Sequence, residues 1–210
     1  STTIAIDEGR AAQPPSEQPW EPTTPQQAAE ILRGLAVPWL IAGGWALDLF
    51  IGRQTRAHGD LDICVFRGDE DAARSHLVGW ELFIADAGAL TRWEDGQPFP
   101  TDRHAIWARQ AGRDHWQIEI AVEPRVGTRW SYRRDPSIGA HVADIGRRTS
   151  DGIPYLRPDI VLLYKSSTPR ALDETDLITV LPHLDPGQRG YLAAALWTAS
   201  PGHRWLARLK

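Results

Sequence analysis

The sequence predicts a mixed α/β fold (α+β) in two parts. An N-terminal part, to about residue 150, holds a mixed β-sheet flanked by helices, and a small helical part follows it. Three observations carry this expectation. Strand and helix signals alternate before residue 80, short β-like runs separated by turn residues crowd residues 80–132, and capped helical segments follow Pro154. The chain has 210 residues, 42% hydrophobic and 24% charged, which is ordinary for a globular protein with a sizeable core. A net charge of −4 exerts no general pull toward nucleic acid or an anionic membrane. No apolar run approaches the roughly 18–20 residues that cross a bilayer, and the first thirty residues lack an apolar leader segment. Neither a nucleic-acid nor a membrane partner is expected. The single cysteine, Cys64, excludes an internal disulfide and suits a reducing compartment, so the expected location is cytoplasmic. Only two of the 23 basic residues are lysine, Lys165 and Lys210, which singles out the internal one.

Residues 1–22 contain Pro14, Pro15, Pro19 and Pro22 with few aliphatics and read as a mobile or extended arm, with Trp20 suited to tuck onto the body. A helix starts after Thr24, with Pro25 in its first turn, Gln27 completing a capping box, and Ala28, Ile31, Leu32 and Leu35 on one face. Residues 39–42 form a short apolar run, broken by Gly43-Gly44, and a helix from Trp45 ends near Gly52. Residues 61–66 form the next strand, and the acidic cluster after Gly68 suits a helix N-terminus. Five short strands follow, at 81–85, 89–93, 105–109, 116–121 and 128–132. Glu94-Asp95-Gly96 and residues 110–113 read as hairpin turns between them. Helices are expected over 159–165, 173–181, 187–198 and 202–209. The boundaries are thus an arm over 1–22, a main domain over 23–150 and a helical part over 151–210.

Three motifs stand in the order that metal-assisted phosphoryl chemistry requires. Gly43-Gly44 lies between a strand and a helix, where glycine allows close backbone approach and the helix start offers free N–H groups to phosphate; the same pair also suits a plain turn. In His58-Gly59-Asp60-Leu61-Asp62-Ile63, alternation puts Asp60 and Asp62 on one face and Leu61, Ile63 and Val65 on the other. Two adjacent carboxylates repel unless a cation sits between them, and Mg²⁺ takes one or two carboxylates together with phosphate oxygens. The alternative is a solvated strand end paired with Arg53 or Arg56. Glu119 alternates with Ile118 and Ile120, so its carboxylate faces away from the core and, on a neighbouring strand, reaches the same cluster; by itself it reads as an edge residue.

Residues 39–48 followed by 52–63 resemble the nucleotidyltransferases of the DNA polymerase beta superfamily, in particular the branch of aminoglycoside 2″-adenylyltransferases and lincosamide nucleotidyltransferases. Residues 156–165 and 173–177 resemble the helical tail of that branch. The resemblance implies that residues 23–150 form a nucleotidyltransferase domain and that Asp60, Asp62 and Glu119 are the catalytic, metal-binding set for two Mg²⁺ ions. It implies ATP or another NTP as co-substrate, transfer of AMP or another NMP to a hydroxyl of a small molecule, and release of pyrophosphate. The third acidic residue of the family is often aspartate, whereas here it is glutamate. Gly43, Gly44, Arg56 and Lys165 are the expected nucleotide-binding residues, Lys165 because its ammonium follows a phosphate as a compact point charge. Arg53, Arg133 and Arg134 are further phosphate candidates, though each reads better as an exposed arginine. His58 is read as orienting Asp60 or as covering the nucleotide. An aminoglycoside or a lincosamide is the expected acceptor. Asp173, Glu174, Asp176 and Asp185 offer an acidic acceptor pocket if they are not merely a solvated face. The alternatives are nucleotidylation of a protein, or a nucleotide-binding or antitoxin-like module of the same fold. Sequence does not address the oligomeric state.

Overall fold

A computed structural model describes residues 17–209; the expected arm, up to residue 16, lies outside the described residues. Its last part is pinned to the body. The Trp116 N–H donates to the Pro19 carbonyl at 2.9 Å, the Glu21 N–H donates back to the Trp116 carbonyl at 2.9 Å, and the Trp20 ring sits edge-on to Trp107 at 5.1 Å.

Helix α1, Pro25–Ile31, begins with the expected capping box: the Thr24 hydroxyl accepts from the Gln27 N–H at 3.3 Å while the Gln27 side chain accepts from the Thr24 N–H at 2.9 Å. Such a cap is worth about 1 kcal/mol. Strand β1, Leu40–Ile41, passes almost directly into α2, Gly43–Ile51, which starts two residues earlier than expected because Gly43 adopts φ +57 and needs no linking loop. Strand β2, Asp62–Phe66, and helix α3, Glu70–His76, follow. Next come β3, Trp80–Asp86; β4, Ala89–Arg92; β5, Ala105–Gln110; and β6, Ile118–Glu123. Three strands, β7 Arg125–Val126, β8 Arg129–Tyr132 and β9 Asp135–His141, form a small separate sheet. Strands β10, Gly146–Arg148, and β11, Pro154–Leu156, return to the main sheet before helices α4, Pro158–Ser166; α5, Ala171–Val180; and α6, Pro186–Ala199. A 3-10 segment, Arg204–Arg208, stands where a last helix was expected.

The main sheet has eight strands in the order β10-β11-β1-β2-β6-β5-β3-β4, mixed as expected: β1–β11 and β2–β6 are parallel and the other pairs antiparallel. Helix α4 is the hub of the helical part. It packs against α2, α5 and α6, and Ile160, Val161, Leu162 and Leu163 are all buried, as a helix enclosed on every side requires.

One local expectation fails, and three strands were not expected. Glu94-Asp95-Gly96 does not join paired strands, because β4 folds back on β3 through Ala87-Gly88 and β5 pairs with the other edge of β3. A turn signal marks a reversal without saying which strand is the partner. Strands β9, β10 and β11 carried no sequence signal; β10 and β11, at three residues each, are too short to show alternation.

Candidate active site

The parallel pairing of β2 and β6 sets Asp62 opposite Glu119, Cys64 opposite Ala121 and Phe66 opposite Glu123. Alternate residues share a face, so Asp62, Cys64, Glu119, Ala121 and Glu123 form the floor of a cavity of about 400 Å³. The opposite wall comes from Arg133 and Arg134 between β8 and β9, from Tyr164 and Lys165 of α4, and from Arg170 and Asp173 at the start of α5. Leu61, Ile63, Ile118 and Ile120 point the other way into the core, as the alternation predicted.

Asp62 and Glu119 form no ion pair with any described residue, and their carboxyls are correspondingly perturbed. Burial, then the charges of Glu119 and Asp60, push Asp62 up to about 8 against the opposing pull of Lys165 and Arg170. Burial and the charge of Asp60 likewise raise Glu119, partly offset by a hydrogen bond from Trp107 and by Arg133. Asp60 lies two residues ahead of Asp62, exposed and outside the cavity lining, and its charge reaches both Asp62 and Glu119. Among the described residues no three His, Cys, Asp or Glu side chains are gathered into a ready-made metal cage. The donor set present is two carboxylates on adjacent strands with no basic partner. That set fits Mg²⁺, which fills its remaining positions with water and phosphate.

The two glycines hold this region together. A Cβ on Gly43 would overlap the Asp62 carboxylate, and one on Gly44 would overlap the Arg56 guanidinium and the His58 ring. Only glycine lets the start of α2 lie flush against the loop that delivers Asp60 and Asp62.

Arg56 is placed differently from the expected phosphate contact. Its guanidinium forks onto Asp176, with Nε at 2.8 Å and Nη2 at 3.1 Å from the two carboxylate oxygens, and Nη1 donates to His58 Nδ1 at 3.0 Å. His58 Nε2 then donates to the buried Asp48 at 2.5 Å, and the Thr55 N–H donates to the same carboxylate at 3.1 Å. This chain of bonds assigns His58 as the tautomer that donates through Nε2. The expected contact of His58 with Asp60 is not formed, since its partners are Asp48, Arg56 and the Trp45 ring, 4.3 Å away. Lys165 lines the cavity and bonds to Asp173 at 2.9 Å and Asp176 at 3.0 Å.

The acidic acceptor pocket is not formed. Asp173 pairs with Lys165 and Arg170, Asp176 with Arg56 and Lys165, Glu174 with Arg204 and Arg208, and Asp185 caps α6. Burial pushes Asp173 up, but hydrogen bonds from Arg170 and Lys165 outweigh it and hold the carboxyl well below the ordinary range. Sequence reasoning missed Arg170, Tyr164 and Glu123 as cavity residues, and the one available signal was the alternation that puts Glu123 on the face of Glu119.

The model of the aminoglycoside-2″-adenylyltransferase family matches residues 26–80. Curated 2″-aminoglycoside nucleotidyltransferases of Escherichia coli and Klebsiella pneumoniae are each 35% identical over 92 residues, 42% of this chain and 48% of theirs. The chain therefore spans about half the length of the curated relatives it matches. The crystal structure of ANT(2″)-Ia in complex with adenylyl-2″-tobramycin superposes with a TM-score of 0.55 at 13% identity, covering 83% of this chain and 96% of that one. Lincomycin-bound LnuA, a lincosamide antibiotic adenylyltransferase, superposes with a TM-score of 0.50 at 16% identity, covering 73% and 92%. At these identities the likeness shows a shared fold. By sequence through residues 26–80, and by fold through most of its length, the chain resembles the aminoglycoside 2″-adenylyltransferase and lincosamide nucleotidyltransferase branch of the nucleotidyltransferases.

Proposed function

We propose that this chain is a nucleotidyltransferase that moves an NMP, AMP from ATP in the first instance, onto a hydroxyl of a small molecule of the aminoglycoside or lincosamide class. The observation that carries the reading is the in-register pair Asp62 and Glu119, left without basic partners and facing a wall that holds Arg133, Arg134, Lys165 and Arg170. Residues 23–150 supply the reacting carboxylates, and the helical part contributes Lys165 and Arg170.

Mg²⁺, held by Asp62 and Glu119 with Asp60 beside them, would neutralise the triphosphate and acidify the acceptor hydroxyl. The N–H groups at the start of α2, beside Gly43 and Gly44, face the outgoing phosphates. The cavity arginines and Lys165 balance the remaining phosphate charge. Glu119, as the carboxylate opposite Asp62, takes the proton of the attacking hydroxyl. The acceptor oxygen bonds to the α-phosphorus, the bond to the β-phosphate oxygen breaks, and pyrophosphate leaves. Arg56 acts at one remove by holding Asp176 and His58, and through them the loop ahead of Asp60.

The test is incubation with MgCl₂, α-labelled ATP or GTP, and tobramycin or lincomycin. The expected result is a labelled antibiotic and one pyrophosphate per transfer. Tight nucleotide binding without labelled product from either acceptor class overturns the transfer reading in favour of a binding module.

A further inference from the structure

We propose that Glu123 anchors an ammonium group of the acceptor, and that the acceptor suited to this cavity carries one such group rather than several. The inference rests on the transfer reading above and names the acceptor chemistry of the same site. Glu123 is only 5% exposed, yet it lines the cavity floor four residues beyond Glu119, about 13 Å along the strand. Its Oε2 accepts from Trp130 Nε1 at 2.8 Å and from the Tyr164 hydroxyl. Burial and the neighbouring Glu123 charge push the Tyr164 phenol up, so it stays protonated and remains a donor. The other oxygen, Oε1, has no hydrogen-bond donor among the described residues, and no Arg, Lys or His among them forms an ion pair with the group.

A carboxylate withdrawn from water and held only by neutral donors is costly, and its free oxygen gains most from a cation. A nucleobase is the poorer partner. An adenine edge places an acceptor nitrogen beside its amine, and a guanine edge leaves the negative charge unneutralised. Four carboxylates line the cavity, and of these Asp173 is already committed to Lys165 and Arg170. Asp62 and Glu119 face the reacting phosphate. One carboxylate remains, and one ammonium fits it.

The experiment measures calorimetric binding to the full chain and to Glu123→Gln, whose amide oxygen still accepts from Trp130 and Tyr164. The probes are lincomycin, with a single basic nitrogen; its N-demethyl-N-acetyl analogue, which lacks that charge; and tobramycin, a polyamine. Wild type is expected to bind lincomycin about 10–100-fold more tightly than the neutral analogue. Tobramycin is expected to bind no more tightly than lincomycin. In Glu123→Gln the preference for the charged probe disappears while affinity for ATP stays within about twofold. An equal loss for both lincomycin probes, a shift in ATP affinity instead, tighter binding of tobramycin, or no binding of lincomycin to wild type overturns the inference. Charge-selective binding without transfer of label defeats the transfer reading alone. Transfer that is indifferent to Glu123→Gln defeats this inference alone.

Discussion

On the sheet side of the cavity Asp62 and Glu119 stand opposite one another with no basic side chain bonded to either, whereas on the helix side Asp173 and Asp176 each bond two cations. Asp173 and Asp176 are buried, and burial alone would push all four carboxyls up. What separates the pairs is the company they keep. Arg56, Lys165 and Arg170 pull the helix-side carboxyls below the ordinary range, while nothing outweighs the burial that, with the charges of Glu119 and Asp60, pushes Asp62 up to about 8. The satisfied pair ties α5 to α4 and to the loop ahead of Asp60. The unsatisfied pair is costly to the fold and chemically useful, because a cation bound between the two carboxylates recovers what the fold forgoes.

The contrast is broken most severely at Asp62. Asp62→Asn is expected to lower transfer at least about 1000-fold, ~4 kcal/mol of transition-state stabilisation, while raising the midpoint of thermal unfolding. Turnover together with a melting curve checks this, and a variant that loses stability contradicts it. Asp176→Asn strikes the satisfied pair. By leaving Arg56 and Lys165 short of a partner, it is expected to cost about 3 kcal/mol in urea unfolding, with a smaller loss in transfer. Gly43→Ala joins the two regions, since its Cβ enters the space of the Asp62 carboxylate and its backbone sits at φ +57. Displacing the carboxylate is expected to reduce kcat about 100-fold, and the strained backbone to cost about 1–2 kcal/mol.

The smallest effect is in the pH dependence of stability without metal. Asp173 and Asp176 lie below the ordinary carboxylate value of about 4, so the stability they contribute is present at neutral pH and is lost as pH falls below about 4. Asp62 has the opposite sign: its contribution is full below about 4 and is lost as pH rises through about 8. Urea midpoints from pH 3 to 9 should show both limbs, with the alkaline one flattened in Asp62→Asn and the acid one shallower in Asp176→Asn.

Much of the sheet side was legible in the residue order. The Asp-x-Asp spacing, the Gly-Gly break and the alternation around Glu119 are local patterns, and so is the Thr24 cap, which the structure forms. The helix side was not legible. Arg56 looked like a phosphate ligand until its partner, 120 positions away, was in view, and the acidic residues of α5 looked like an open pocket until their cations were.

The order of residues by itself determined which carboxylates are offered on β2 and β6, because side-chain direction along a strand follows from a two-residue repeat. It also determined where α1 starts, because the Thr24 cap is satisfied within one turn. Only the tertiary structure decided which acids gain basic partners and which do not: Asp173 and Asp176 bound to basic groups, Asp62 and Glu119 opposite each other without one, and Glu123 held by Trp130 and Tyr164 on the cavity floor. Pairing and desolvation depend on what packs against a group from distant parts of the chain, and no local pattern encodes that.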